Sequence, residues 1–337
     1  MRTSSLGAET VTAIGMGDVS LARSALRNVD LGEVTRALHG ALGAGFDLID
    51  VAGDQDSERL VGDAVRALRV RDRAIVATTV PALVHRVGVP TRDVLPARLP
   101  LGYVTERIES TLRATRFEAL PLAQLPVRGA WRGSSAWPEL QGLCARMVRE
   151  GKVLRWGLMI DEIEDDTIGL VEEGFTSLQL TFNLCDRAAE PVIAAAQKKH
   201  IAVLARRPLA GGALAGTIGP GMKLARIDDR RDLDDTQLER IAVGVAKLAA
   251  FVKTVPAAAR SCEAGKQALE AALKRRPENI ECATVAELAL RYVLDRGVIA
   301  LPRLHRNDRV PEAMLAALSE PLSIDLRRRL DTEQIFS

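Results

Sequence analysis

Short apolar runs separated by longer amphipathic stretches set the rhythm of this chain. The runs Val11–Ile14, Asp47–Ile49, Ala74–Thr79 and Leu120–Leu125 are apolar throughout or nearly so, as are Arg155–Leu158, Ser177–Leu180, Ile201–Ala205 and Val298–Leu301. Runs of this kind fit parallel strands buried on both faces. Between them the apolar spacing turns helical. Leu31–Ala44 sets Val34, Leu38 and Leu42 on one stripe and stops at Gly45. Ser57–Ala67 opens on a serine suited to capping, Pro138–Glu150 ends at Gly151, and Glu162–Glu173 ends at Gly174. Glu190–Lys198 and Thr284–Asp295 complete the set, with Gly297 just beyond. Repeated strand-then-helix units predict an α/β fold with a parallel sheet. About eight such units predict a closed (β/α)8 TIM barrel rather than an open Rossmann sheet.

One segment breaks the rhythm. Residues Met222–Glu281 begin with a charged run, Arg226–Asp232, and continue through two helical patterns, Leu233–Phe251 and Ala264–Arg275. This reads as a helical insertion between strands seven and eight, inside a single domain spanning residues 1–337. Its role is either a solvated helical addition packed on the barrel wall or a lid or partner surface.

Composition narrows the function classes. The 337 residues are 47% hydrophobic and 27% charged, which suffices for a large core. A net charge of +2 gives no global field for nucleic acid or an anionic membrane, so a small-molecule partner is expected. Apolar runs stay short of the ~20 residues that span a bilayer. The opening Met1–Ser5 is not followed by an apolar stretch, so no secretory signal is expected. The 4 cysteines lack C-x-x-C spacing, which argues against zinc and against a disulfide framework. A reducing, cytoplasmic setting is the expectation.

Chemistry in such barrels gathers at the C-terminal ends of the strands. There the sequence offers Asp50, Asp54 and Asp56, then Thr78 and Thr79, then Arg128 and Arg132. Asn183 and Asp186 follow strand six, Arg206 and Arg207 close strand seven, and Arg303, His305, Arg306 and Arg309 follow strand eight. Guanidinium forks after strands seven and eight suit a phosphate, and Pro208–Gly212 can bring backbone amides close to an anion. Hence an anionic or phosphate-bearing ligand, NADP(H) included, is a candidate. The competing reading pairs these arginines with surface acids such as Asp228, Asp229 and Asp308. Asp54 or Asp56 could donate a proton if burial raised its pKa, or could simply cap a helix. Cys185 has no histidine near it in sequence and reads as a small buried thiol. His305 could serve as acid, base or phosphate ligand. Trp131 and Trp137 either line a pocket mouth or pack beneath a loop.

Five segments, in order, resemble the aldo-keto reductase superfamily over nearly the whole chain. They are Arg2–Gly7 with Ile14–Gly17, Ala41–Asp50, Glu150–Gly157, Gln179–Asn183 and Arg207–Leu214. The resemblance implies a TIM barrel with an N-terminal β-hairpin, NADP as cofactor and carbonyl reduction as chemistry. In that chemistry a Tyr hydroxyl donates a proton, a Lys paired to an Asp lowers the hydroxyl's pKa, and a His orients the carbonyl. Carried over, the Asp is Asp50. The Tyr position falls on Asp54 or Gln55, the Lys position on Thr79 and the His position on Pro126. No tyrosine occurs between Val51 and Gly102, and no lysine precedes Lys152. Among the implied cofactor positions, Gln179 is kept. Gly157–Ile160 replaces a polar Ser-Asn pair, and Arg206 replaces a stacking aromatic. Pro208, Leu209 and Gly211 follow it. Arg303 opens the adenosine-phosphate segment, whose arginine falls at His305 or Arg306.

Three functions remain open on these residues. The first is an aldo-keto reductase-like protein without standard NADP-dependent carbonyl reduction, a pseudoenzyme or repurposed pocket for an anionic or nucleotide ligand. The second is an NAD(P)H-dependent oxidoreductase that draws its acid from Asp50, Asp54 or His305. The third is a non-redox lyase or isomerase on the same barrel. Loss of Tyr, Lys and His together favours the first or third. Gln179 and the basic loops keep the second.

Overall fold

The computed structural model describes residues 1–25, 28–83, 94–223, 234–249, 252, 282, 284–306, 309–332 and 335. Strands β1 (Thr3–Leu6) and β2 (Glu9–Thr12) form an antiparallel hairpin. Eight parallel strands follow in sequential order around one sheet. They are β3 (Met16–Val19), β4 (Leu48–Val51), β5 (Ile75–Thr79), β6 (Leu122–Val127), β7 (Trp156–Ile160), β8 (Ser177–Thr181), β9 (Ala202–Arg206) and β10 (Ile299–Leu301).

The ring closes between its first and last strands. Gly15 N donates to Ala300 O at 2.9 Å, Ala300 N to Ala13 O at 2.9 Å, and Gly17 N to Pro302 O at 2.8 Å. The backbones meet so tightly that a Cβ on Gly17 would lie 2.2 Å from Leu301 O. Only glycine fits such an approach.

The expected first strand, Val11–Ile14, is divided. Its first half finishes the hairpin, and the barrel strand begins later, at Met16. The Asp47 carboxylate holds the division by accepting from Thr12 N and Thr12 Oγ1, both at 2.7 Å. Ile14 keeps only a single bridge to Ala300. Leu6 and Val11 of the hairpin pack with Leu48, Ile75, Leu122 and Ile299 at the strand starts. The hairpin thereby plugs the N-terminal mouth and leaves the opposite mouth for chemistry.

Helices cover the sheet where the stripes predicted them, with shifts at the ends. Leu31–Gly43 is capped by Asp30, and Val285–Asp295 by Thr284. Gln55–Ala67 starts before the predicted serine because Asp54 is the cap. Trp137–Arg149 and Glu190–Lys198 match their patterns. The stretch Glu162–Glu173 forms a 3-10 turn, Asp165–Glu172, rather than a full helix. Gly169 weakens its middle, and the Arg132 guanidinium packs against that glycine. Within the insertion Asp235–Leu248 is helical, while Arg226–Asp232 and Ala264–Arg275 lie outside the described residues. Leu101–Thr115 is a helix that the strand-and-stripe reading omitted. No helix among the described residues is long and apolar enough to cross a membrane.

Candidate active site

Asp50 sits near the end of β4, flush with Ala77 of β5. Its side chain borders a cleft of about 1020 Å³ at the C-terminal mouth of the barrel. Strand register brings Thr79 level with Gln124, Pro126 level with Met159, and Met159 level with Gln179. Thr79, Pro126, Met159 and Gln179 all line the same cleft.

Asp50 is 7% exposed. Its Oδ2 accepts from Asp18 N at 3.0 Å and its Oδ1 from Gln124 Nε2 at 3.3 Å. Burial pushes the carboxyl up to about 6, against the pull of the Gln179 amide and the Arg206, Arg23 and Gln124 groups. Desolvation outweighs the cations because no guanidinium bonds Asp50 directly among the described residues. Near neutrality the group therefore holds a proton far more often than an ordinary aspartate. The Oε1 atoms of Gln124 and Gln179 are buried with no hydrogen-bond partner. Asp50 and Gln179 both border the cleft and bring acceptor oxygens to its floor.

Charged pairs stand above that floor. Asp18 lies in β3 with φ of 47°, in the left-handed region. Its Oδ1 accepts from Arg23 at 2.7 Å, and its Oδ2 accepts from Arg303, which follows β10. Burial lowers the Arg303 pKa to about 10. Arg206, at the end of β9, pairs with Asp161 beyond β7.

The structure gathers most of the predicted residues here. Asp54, His305, Arg207, Pro208, Leu209 and Gly211 line the cleft, as do Arg206, Arg303 and Arg306. Their commitments differ. Asp54 Oδ1 accepts from Ser57 N at 2.9 Å, so this carboxylate caps a helix. The loop Arg207–Gly212 folds back on itself through left-handed Arg207, Ala210, Gly211 and Gly212. Asn183 braces that loop by donating to Arg207 O at 3.0 Å. Arg309 reaches Glu312 at 3.3 Å.

Other candidates point elsewhere. Asp56 pairs with Arg59 on the surface, Arg128 with Glu162 and Glu164, and Arg132 with Glu173. Thr78 is buried against Glu58. Burial and Asp186 push the Cys185 thiol up to about 12, the opposite of what a nucleophile requires. Trp131 is buried in the core and Trp137 donates to Glu173. Trp156 donates to Cys144 O at 3.1 Å and does not line the cleft.

The chain has two tyrosines. Tyr103 donates to Pro81 O at 2.7 Å, and Tyr292 is 1% exposed beneath Arg187 and Arg296. Neither ring lines the cleft, and exposed Lys223 is the lysine that does so among the described residues. Sequence reasoning missed Asp18, Arg23 and Gln124. A polar residue directly after Gly15-Met16-Gly17 was the available signal for Asp18.

The aldo/keto reductase family pattern matches residues 13–332. The chain belongs to this family. Solved aldo/keto reductases share its fold. AKR11C1 from Bacillus halodurans, holo form, is 19% identical with a TM-score of 0.66, over 100% of this chain and 97% of that one. The glycerol dehydrogenase AKR11B4 from Gluconobacter oxydans is 20% identical with a TM-score of 0.67, over 98% and 94%. An aldo/keto reductase from Klebsiella pneumoniae, in complex with NADP and acetate, is 22% identical with a TM-score of 0.62, over 98% and 94%. No curated protein matches the chain. At such identities these aldo/keto reductase structures establish the (β/α)8 barrel and leave the chemistry to the residues of this cleft.

Proposed function

We propose that this aldo/keto reductase family member binds an anionic or nucleotide small molecule, NADP(H) foremost, without the standard NADP-dependent carbonyl reduction. The observation that carries the reading is the setting of Asp50. It is held by a backbone amide and glutamine amides, and Arg206 and Arg23 are the cations acting on it. No phenol lines the cleft among the described residues. The two tools of standard proton delivery, a tuned hydroxyl and its lysine, therefore have no counterpart beside Asp50 among the described residues. Thr79 and Pro126, which line the cleft where Lys and His are implied, carry no group that titrates near neutrality.

The residues present fit a nicotinamide dinucleotide at both ends. Gln179 Oε1 is buried without a donor, and a carboxamide N–H would satisfy it. Arg207 and Arg306 border the same cleft with planar forks suited to phosphate. When bound, NADPH supplies a hydride. The chain's own part is to orient the ring amide through Gln179 and to hold phosphate through the basic loops. Arg206 beside the floor disfavours the cationic oxidised ring and so favours the reduced form.

A second reading draws on one observation. A carboxyl titrating at about 6 is a workable general acid, so Asp50 could protonate a carbonyl oxygen itself. One experiment separates the two. NADPH is titrated into the protein by calorimetry and by its own fluorescence, then an aldehyde panel is added. Saturable binding without turnover supports the first reading. Turnover abolished by Asp50→Asn establishes the second. Absence of binding removes the dinucleotide from both.

A further inference from the structure

We propose that the floor of the cleft is a subsite for a primary ammonium group, which donates to the Asp50 carboxylate and to Gln179 Oε1. This goes beyond the binding reading above, in which Gln179 meets a ring amide and no ligand group meets Asp50.

The floor is short of donors. Gln124 Nε2 donates to Asp50 Oδ1 at 3.3 Å, and the Gln179 amide bonds the same carboxyl. An ionised carboxylate only accepts, so it turns the nitrogen of each amide towards itself. The oxygen of Gln179 is thereby left over. Gln179 is 3% exposed and borders the cleft, and its Oε1 has no hydrogen-bond partner. An unpaired buried acceptor is costly, so a ligand that donates to it is favoured. Asp50 also borders the cleft, and with Asp18 N, Gln124 and Gln179 as its donors it still has room for another, since a carboxylate offers about four lone-pair sites.

Charge selects an ammonium over a hydroxyl. A hydroxyl brings a single proton, whereas an ammonium brings several N–H donors together with a positive charge. Strands β4 to β8 and β10 contain no charged residue apart from Asp50 itself. From β3, Asp18 turns its backbone amide to Asp50 and its carboxylate to Arg23 and Arg303. Arg206 of β9 and Arg23 of the short helix Leu21–Ala25 act on Asp50 electrostatically, while Arg206 bonds Asp161 and Arg23 bonds Asp18. Burial outweighs both guanidinium groups, and the carboxyl rises to about 6. A cation bonded to Asp50 directly recovers what burial costs it. The oxidised nicotinamide ring has no N–H at its charged nitrogen, so it cannot use Asp50 against Arg206 in this way. Register sets Pro126, Met159 and Gln179 side by side on the cleft wall, which gives the carbon attached to the ammonium an apolar surface.

The test titrates ethylammonium chloride into the full chain at low salt, followed by ligand-observed NMR. At pH 8 the affinity should fall about tenfold in Asp50→Asn, the scale of one charge-assisted contact, and about threefold in Gln179→Leu. Tetramethylammonium is equally charged but has no N–H, and it should bind about tenfold more weakly than ethylammonium. Affinity should also fall as the pH drops through about 6, because the protonated carboxyl no longer attracts a cation.

Equal affinity for the two cations, binding that survives Asp50→Asn unchanged, or binding that ignores pH overturns the proposal. Ethylene glycol binding more tightly than ethylammonium overturns it too, because the floor would then be a hydroxyl site. If Asp50→Asn does not fold, Gln179→Leu and the pH series decide, and affinity unmoved by either is the refuting result. Ethylammonium and NADPH share Gln179, so each should displace the other. NADPH binding with no ethylammonium binding sinks this subsite alone. Ethylammonium binding that needs Asp50, with no NADPH binding, sinks the dinucleotide reading alone.

Discussion

Asp50→Asn should stabilise the fold above pH 6, and the gain should shrink as the solution is acidified. The carboxyl titrates at about 6 in the folded chain and at 3.8 as an ordinary aspartate. Because the folded value is the higher one, the native state binds the extra proton between these limits. The stabilisation due to that proton is complete below about 3.8 and is lost as pH rises through 6. At about 1.36 kcal/mol per pH unit, the ionised carboxylate costs the fold about 3 kcal/mol at pH 8. Asparagine carries no charge, so it escapes that cost. It has one acceptor oxygen in place of two, so either the Asp18 amide or the Gln124 amide loses its partner. A lost neutral-donor bond costs about 1 kcal/mol. The net gain is about 2 kcal/mol at pH 8, or about 3 °C in Tm for a chain of this length. Urea and thermal denaturation of both proteins from pH 4.5 to pH 8.5 measure it. A variant less stable than the parent at pH 8, or a difference that ignores pH, would refute the reasoning. A carboxylate paired with an ammonium would give that opposite sign, so the experiment also tests whether Asp50 lacks such a partner.

Three further outcomes follow from packing and capping. Gly62→Ala should destabilise by about 1–3 kcal/mol, the usual cost of overpacking, because its Cβ would lie 2.4 Å from Thr115 O. Equal stability in urea would show that the two helices can part freely. Thr284→Ala removes the cap on Glu287 N at 3.0 Å and a 2.7 Å bond to Glu312, and should lower stability by about 1–2 kcal/mol in thermal melts. Arg107→Met leaves the fully buried Glu58 without its 3.3 Å cation. The loss should reach about 3 kcal/mol at pH 8. It should be smaller at pH 5, because burial already raises the Glu58 pKa and protonation removes the stranded charge. Equal losses at both pH values would contradict that.

Much of the barrel was legible because its elements are written locally. Continuous apolar runs such as Ser177–Leu180 become strands wherever both faces are covered, and Glu190–Lys198 carries its own proline start and basic end. The helix Leu101–Thr115 was legible in principle, since buried Val104, Ile108, Thr111 and Thr115 recur at helical spacing behind Pro100. Threonines on that stripe disguised it as polar. They are buried because Thr111 Oγ1 serves Glu58 and Thr115 Oγ1 bonds back into its own helix. Likewise the run Val11–Ile14 could not announce its division, because the carboxylate that holds Thr12 arrives from Asp47.

By itself the sequence determined the order of strands and helices, the acid at the end of β4, and the absence of a tyrosine or lysine near it in the chain. Those are properties of neighbouring residues and of period. Tertiary structure alone decided what surrounds that acid. Gln124 reaches Asp50 across 74 positions, and Arg303 reaches Asp18 across 285. Closing the ring brings the first and last strands side by side and takes the trapped charges out of water. Desolvation then sets both the proton affinity of Asp50 and the need of Arg303 for an anion.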